Sequence, residues 1–208
     1  MHWPVAFRKM SENQWSQNED KTVRYYAEGT TLADTWRAME KLIDQKLVRS
    51  IGVSNFKPEE LEDILQIARI KPAVNQVELH PFLNQQDLRE YCAKKNIIIT
   101  SYCPLANLKR PGESEEEASA LHHPVIVELA KTKNKTPAQI IIRWHLQHNL
   151  TVIPKTVTPE RLQENCQVYD FSLTNDEMKQ IDEIEKTRRR RFVNPPFLKP
   201  GDKNVFDD

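Results

Sequence analysis

Apolar positions recur at helical spacing from Leu32 through Trp36, Met39, Ile43 and Leu47, and Thr31 with Asp34 supplies a capping box at the start. Val48–Asn55 then reads as a strand that ends in polar residues. Pro58, followed by Glu59, Glu60 and Glu62, marks the next helix start, with Leu61, Ile64, Leu65 and Ala68 as its inner face. A strand over Pro72–Leu79 and a helix over Asp87–Lys95 follow, the helix carrying Leu88, Tyr91 and Cys92 on one side. Ile97–Tyr102 (IIITSY) is a β-branched run of the kind expected in a strand covered on both faces. Further helices are expected over Pro124–Lys131, from Thr136-Pro137-x-Gln139 to His148, from Thr158-Pro159 to about Cys166, and from Thr174-x-x-Glu177 onward. Thr151–Pro154 is a short strand, while residues 4–31 and 188–208 read as irregular.

Strands alternating with helices imply βα units and a parallel sheet. Each strand is apolar at its start and polar at its C-terminal end: Ser54 and Asn55, then Gln76, Glu78 and His80, then Tyr102 and Cys103, then Lys155 and Thr156. That polarity is the active-site face of a TIM (β/α)8 barrel. The fold class expected is therefore α/β, an incomplete TIM barrel, because the count is four good strands plus a stub rather than eight.

Composition narrows the function. The 208 residues suit one domain, and 30 basic against 30 acidic side chains leave no net field to gather nucleic acid or an anionic membrane. No run approaches the roughly 20 apolar residues of a membrane span, and MHWPVAF lacks a basic secretory n-region. Cys92, Cys103 and Cys166 are odd in number and form no CxxC, so reduced thiols in the cytosol are expected. The four glycines include no GxGxxG or P-loop arrangement, which excludes a nucleotide held by a Gly-rich loop.

Another anion cradle is present. In Ile153-Pro154-Lys155-Thr156-Val157-Thr158-Pro159-Glu160-Arg161 a strand ends in lysine and threonine and a helix begins behind Thr158. Backbone N–H groups at that start favour an anion, and Lys155 and Arg161 add two cations. A monophosphate between two cations suits the 2′-phosphate of NADP better than NAD. The same residues also suit an ordinary helix start with solvated charges.

Four motifs in order resemble the aldo-keto reductases: MEKLIDQKLVRSIGVSNF (39–56), VNQVELHPFLNQ (74–85), SYCPLA (101–106) and IPKTVTPERLQEN (153–165). The resemblance implies a single NADP-dependent oxidoreductase domain over 1–208, matching the C-terminal two-thirds of the family, with 188–208 as its C-terminal substrate loop. It implies that Ser54, Asn55 and Gln76 hydrogen-bond the nicotinamide carboxamide of NADPH and that Tyr102 stacks on the ring. Cys103, Leu105 and Asn107 would line the pyrophosphate. Lys155, Thr156 and Arg161 would hold the 2′-phosphate, with Glu164 and Asn165 on the adenine. The family often has serine at the position of Cys103, which weakens any polar contact there; an activated thiol is the sharper alternative. His2-Trp3-Pro4 matches the end of the family's fourth strand, implying that His2 orients a substrate carbonyl and Trp3 walls its pocket. Phe197 and Leu198 in the tail are expected substrate contacts.

The family's proton-donating tyrosine, with its lysine and aspartate, belongs to strands upstream of His2-Trp3-Pro4 and has no counterpart here; Tyr25 and Tyr26 match nothing catalytic. A shortened form of a longer protein is expected, weak or inactive alone, since general acid catalysis contributes roughly 10²–10⁴-fold. A complete version would be a monomer reducing a small aldehyde or ketone, whereas an open half-barrel invites self-association. The alternatives are a non-catalytic NADPH-binding or structural relative and a product that does not fold. His145-x-x-His148 lies on one helix face at a metal-ligand spacing, but no third ligand accompanies it, so no metal is expected. His122-His123 is a weaker pair still, and Arg188–Arg191 reads as a solvated run rather than a phosphate site or nuclear address.

Overall fold

The computed structural model describes residues 1–4, 9–11, 14–15, 30–106, 114 and 119–193. The chain divides into two compact units, Met1–Asn75 with Val193–Asp208, and Gln76–Phe192. Its main sheet has the strands β3 (Val53–Ser54), β4 (Val74–Glu78), β5 (Ile98–Tyr102) and β6 (Thr151–Val152), parallel and hydrogen-bonded in that order, so β3 and β6 are open edges. Thr100 pairs with Thr151 and Ser101 with Val152. Helices intervene: α1 (Leu32–Asp44), α2 (Pro58–Ile67), α3 (Gln86–Lys94), α4 (Pro124–Lys133), α5 (Pro137–Gln147), α6 (Pro159–Cys166), α7 (Asn175–Asp182) and α8 (Ile184–Thr187). No described helix is long and apolar enough to cross a membrane.

Three helix starts follow from their capping residues. Thr31 accepts from the Asp34 N–H at 3.1 Å while Asp34 accepts from the Thr31 N–H at 3.0 Å. The same reciprocal pair forms between Thr136 and Gln139 and between Thr174 and Glu177. The expected cap at Thr158 differs: its side chain makes no capping bond, and its N–H instead donates to Thr156 Oγ1 at 3.1 Å. Helix ends are built without glycine. Lys46, Asn96, Asn134 and Asn149 take left-handed φ values of 57°, 54°, 52° and 57° behind α1, α3, α4 and α5. At each, two N–H groups turn back onto the last turn, as where Leu47 N donates to Leu42 O and Lys46 N to Ile43 O, at 2.9 and 2.8 Å. Asparagine tolerates this conformation best after glycine.

Several expectations shorten or change. The strand over 48–55 contracts to Val53–Ser54, since residues 44–50 are exposed and enter no ladder. The strand over 151–154 contracts to Thr151–Val152, and Pro154 lacks the N–H to extend it. α1 stops at Asp44, leaving Leu47 exposed. Ile98 is 54% exposed although Ile97 and Ile99 are each 3% exposed, so β5 is not covered on both faces at its start. Within the segment read as irregular, β1 (Lys9–Ser11) pairs antiparallel with β2 (Gln14–Trp15), a pairing too short to show as alternation. A 3₁₀ turn at Ala120–His122 was equally invisible.

In the first unit Trp36, Phe56, Leu61 and Ile64 form the buried core. Trp36 Nε1 donates to Ile70 O at 3.1 Å, and the buried Glu40 accepts from Ile70 N at 2.8 Å, docking α1 beside the approach to β4. Gly52 is required at the β3–β4 approach, where a Cβ would stand 2.8 Å from Val74 O. In the second unit Ile140, Ile141 and Trp144 of α5, with Phe82, Leu83, Ile126 and Ile181, are completely buried. Trp144 Nε1 and His148 Nε2 both meet Asp182 Oδ1, at 3.0 and 2.9 Å, and Asn84 Nδ2 donates to Asp182 O at 2.9 Å. His145, on the same helix as His148, is fully buried and faces Ile141 O, Leu79 O and Ser101 Oγ. The two histidines thus serve different partners.

Candidate cofactor site

In the second unit the loop after β6 and the first turn of α6 wall two cavities. One, of about 430 Å³, is lined by Cys103, Pro104 and Leu105 on one side and by Ile153–Thr158 and Arg161 on the other. The other, of about 540 Å³, is lined by Leu105, Lys155, Thr156, Arg161, Glu164 and Asn165 together with Leu121, His122, Val127 and Thr136–Ala138. Leu105, Lys155, Thr156 and Arg161 belong to both. The structure therefore brings Cys103 and Leu105 of the expected pyrophosphate stretch together with the expected 2′-phosphate and adenine residues. Asn107, Phe197 and Leu198 lie outside the described residues.

The cations are the distinguishing feature. Lys133 pairs with Glu177 at 2.9 Å and Lys135 with Asp170 at 2.6 Å, yet neither Lys155 nor Arg161 is ion-paired to a described residue. α6 contributes early N–H groups without intrahelical acceptors beside them. Glu164 is partly committed: its Oε1 accepts from Thr136 Oγ1 at 2.6 Å, and its main-chain carbonyl accepts from Gln139 Nε2 at 3.1 Å. These bonds tie the C-terminal half of α6 to the start of α5 and hold the two walls of the larger cavity together. His122, Leu121, Val127 and Thr136–Ala138 were missed as lining residues, because nothing in their local sequence separates them from a helix start.

Gln76, midway along β4, and Tyr102, the last residue of β5, are half-buried. Burial, with the nearby Glu78 carboxylate, pushes the Tyr102 phenol well above its ordinary range. Cys103 follows with φ 50°, and Ala106 N closes the turn onto Cys103 O at 2.9 Å. Burial first, then Glu78, pushes the Cys103 thiol up to about 11. The shift is opposite in sign to the one an activated thiol needs.

Glu78 and His80 have fully buried side chains that meet at 2.9 Å. Burial drives the His80 pKa down against the pull of Glu78, so the imidazole is neutral and donates from Nε2. Its Nδ1 is buried without a hydrogen-bond partner among the described residues. The arginine run is not simply solvated: Arg189 pairs with Glu185, and Arg188 and Arg190 stack on Phe82 and Phe192. Among the described residues no group of histidine, cysteine and carboxylate side chains is arranged to hold a metal.

In the first unit Asn55, 2% exposed with φ 65°, donates from Nδ2 to His2 O at 3.0 Å and to Ser54 Oγ at 3.2 Å. The structure thus joins Ser54, Asn55 and the main chain of His2. His2 itself is exposed, with its ring 5.5 Å from that of Trp3.

Known proteins agree with this architecture. Residues 1–186 match the profile of the Aldo/keto reductase family. Aldo-keto reductase family 1 member A1-A of Danio rerio is 45% identical over 203 residues, which cover 98% of this chain and 61% of that protein. Aldo-keto reductase family 1 member A1 of Bos taurus is 41% identical over 201 residues, covering 97% of this chain and 60% of its own length. The solved aldose reductase of Schistosoma japonicum superposes with a TM-score of 0.86 at 34% identity, covering 100% of this chain and 64% of the other. The chain therefore spans less than two-thirds of each of these relatives, and its open parallel sheet is an incomplete TIM barrel. On sequence and fold together, the chain belongs to the aldo/keto reductase family.

Proposed function

We propose that this chain carries the dinucleotide-binding part of an NADPH-dependent carbonyl reductase, which acts on aldehydes or ketones in the cytosol. The observation that supports it is the pair of cations, Lys155 and Arg161, without counter-ions among the described residues, on two adjoining cavities at the start of a helix. A 2′-phosphate neutralises such a pair; the hydroxyl of NAD does not. In this reading Thr156 adds a hydroxyl donor, Asn165 and the free lone pairs of Glu164 face the adenine, and Cys103 and Leu105 border the pyrophosphate through main chain and apolar contact. Asn107 belongs to the same stretch. Gln76 takes the nicotinamide carboxamide and Tyr102 stacks on the ring, which selects the face presented to substrate. Ser54 and Asn55 are assigned to the same carboxamide by their motif, and His2 and Trp3 to the substrate. NADPH, when bound, supplies the hydride.

The test is a fluorescence titration of the purified chain with NADPH and with NADH. NADPH should bind at least about tenfold more tightly, the value of one charge-assisted hydrogen bond. Arg161→Ala and Lys155→Ala should each remove most of that preference and leave NADH unchanged. Equal affinity for the two dinucleotides refutes the assignment.

A second reading is a non-catalytic binding or structural relative. Its support is that His2, the one candidate for carbonyl chemistry, is exposed, with its carbonyl accepting from Asn55 Nδ2 and its ring beside that of Trp3. Assay of an aromatic aldehyde with NADPH separates the two. Binding with turnover near background favours the second reading, and turnover by this chain refutes it.

A further inference from the structure

Beyond α8 the chain turns back over the end of β4 and is fastened there by contacts independent of the phosphate cavities. Arg190 N–H donates to Phe82 O at 2.9 Å, and Phe192 N–H donates to Glu78 Oε1 at 2.6 Å. The Arg188 guanidinium lies 4.8 Å from the Phe82 ring centroid, and Phe192 meets His80 edge-on with centroids 5.3 Å apart. Glu78 thus answers two donors, His80 Nε2 and a main-chain N–H 114 residues further along the chain. A carboxylate buried this completely is retained only when hydrogen-bonded, so the fold of β4 and the path of residues 188–192 depend on each other.

The position of Glu78 gives that dependence a function. Gln76 and Glu78 share one face of β4, two residues apart. Glu78 is close enough to Tyr102 and Cys103 for its charge to act on both. We propose that Glu78 is a positioning residue, whose carboxylate clamps segment 188–192 through the Phe192 amide and couples that segment to occupancy of the dinucleotide site at Gln76 and Tyr102. The coupling rests on the reading of Gln76 and Tyr102 given under Proposed function; the clamp does not.

Hydrogen exchange at the Phe192 amide of the whole chain, with and without NADPH, tests both parts. In the wild type exchange is slow and slows further with NADPH. Glu78→Gln keeps the shape and removes the charge; exchange should accelerate about tenfold and cease to respond to NADPH, and NADPH affinity should fall by a similar factor. Phe192→Pro removes the donor and spares the carboxylate, and it should weaken NADPH equally. The double variant should then lose no more than either single one, as for two ends of one interaction. Unchanged exchange in Glu78→Gln overturns the clamp, and additive losses overturn the coupling. If Glu78→Gln does not fold, Phe192→Pro decides alone, and NADPH affinity equal to the wild type overturns the proposal. Should the wild type bind no NADPH, the cofactor reading falls, and with it the coupling, while exchange at Phe192 still decides the clamp.

Discussion

His145 is the sharpest test of how this interior is built. Its side chain is completely buried, with Nδ1 2.8 Å from Ile141 O and Nε2 3.0 Å from Ser101 Oγ and 3.1 Å from Leu79 O. Burial lowers its pKa from 6.5 to about 4, against the two carbonyls, which favour the charged form. That difference corresponds to about 3 kcal/mol. The folded pKa is depressed, so the unfolded chain binds the proton first. The contribution is whole above pH 6.5, declines as pH falls, and is lost below about 4. His145→Leu removes the titration together with the hydrogen bonds, and should lower stability at pH 7 by about 1–3 kcal/mol. The wild type's advantage should then shrink by about 3 kcal/mol towards pH 4, where it vanishes or reverses in favour of the variant. Urea unfolding followed by tryptophan fluorescence suits the measurement, since Trp144 stands 4.7 Å from the imidazole. Subtraction is necessary because Glu60 acts in the opposite sense: burial raises its pKa to about 7, so its contribution holds at low pH and is lost as pH rises. A gap that stays constant from pH 7 to pH 4 would refute the account of His145 as a neutral buried donor.

Other expectations are simpler. Lys46→Gly, at the left-handed residue that ends α1, should raise stability by about 1 kcal/mol in thermal melts; no gain would mean the turn is not strained. Gly52→Ala sets a methyl 2.8 Å from a backbone oxygen and should destabilise the fold by about 1–3 kcal/mol, an effect that an unchanged urea midpoint would contradict. Iodoacetamide at pH 8 should label the exposed Cys166 first. Cys103 should lag, because a thiol pushed up to about 11 is only about a thousandth thiolate there. Equal labelling rates would contradict the raised pKa of Cys103.

The sequence made the helices legible because their starts are chemical events. Thr31, Thr136 and Thr174 each lead a capping box, and Pro58, Pro124, Pro137 and Pro159 occupy first turns. Helix ends were less legible, since the usual signal is glycine and this chain uses asparagine or lysine. Strands were placed correctly but drawn too long. An apolar run reports burial, whereas a ladder requires a partner, and at β3 and β6 a partner exists for two residues only. In the site, residues that follow one another along the chain were legible, as with Lys155, Thr156 and Arg161. The far walls were not: Leu121, His122 and Thr136 reach the larger cavity from other elements, and the Glu78–Phe192 contact closes over 114 residues. Local pattern carries no information about contacts of that range.

Backbone strain falls into two groups, at helix ends and beside the candidate site. Lys46, Asn96, Asn134 and Asn149 are left-handed because a helix must end there, and Gln85 because it caps α3 and donates from Nε2 to Glu78 O. Asn55, Cys103 and Ala106 are also left-handed, at φ 65°, 50° and 47°, and no helix ends at them. They follow β3 and β5 at the C-terminal ends, where the polar candidates lie. A left-handed non-glycine residue costs roughly 1–2 kcal/mol, and such strain persists where the surroundings impose it. At Cys103 the imposed turn carries Leu105 to the wall shared by both cavities. Cys103→Gly relaxes that turn. If the turn serves packing alone, the variant will gain about 1 kcal/mol in thermal stability and bind NADPH as before. If the turn sets the cavity wall, the same gain will come with weaker NADPH binding, because glycine no longer holds Leu105 in one place. The cofactor reading requires the second result, and a stabilised variant with unchanged affinity would remove the functional account of the strain.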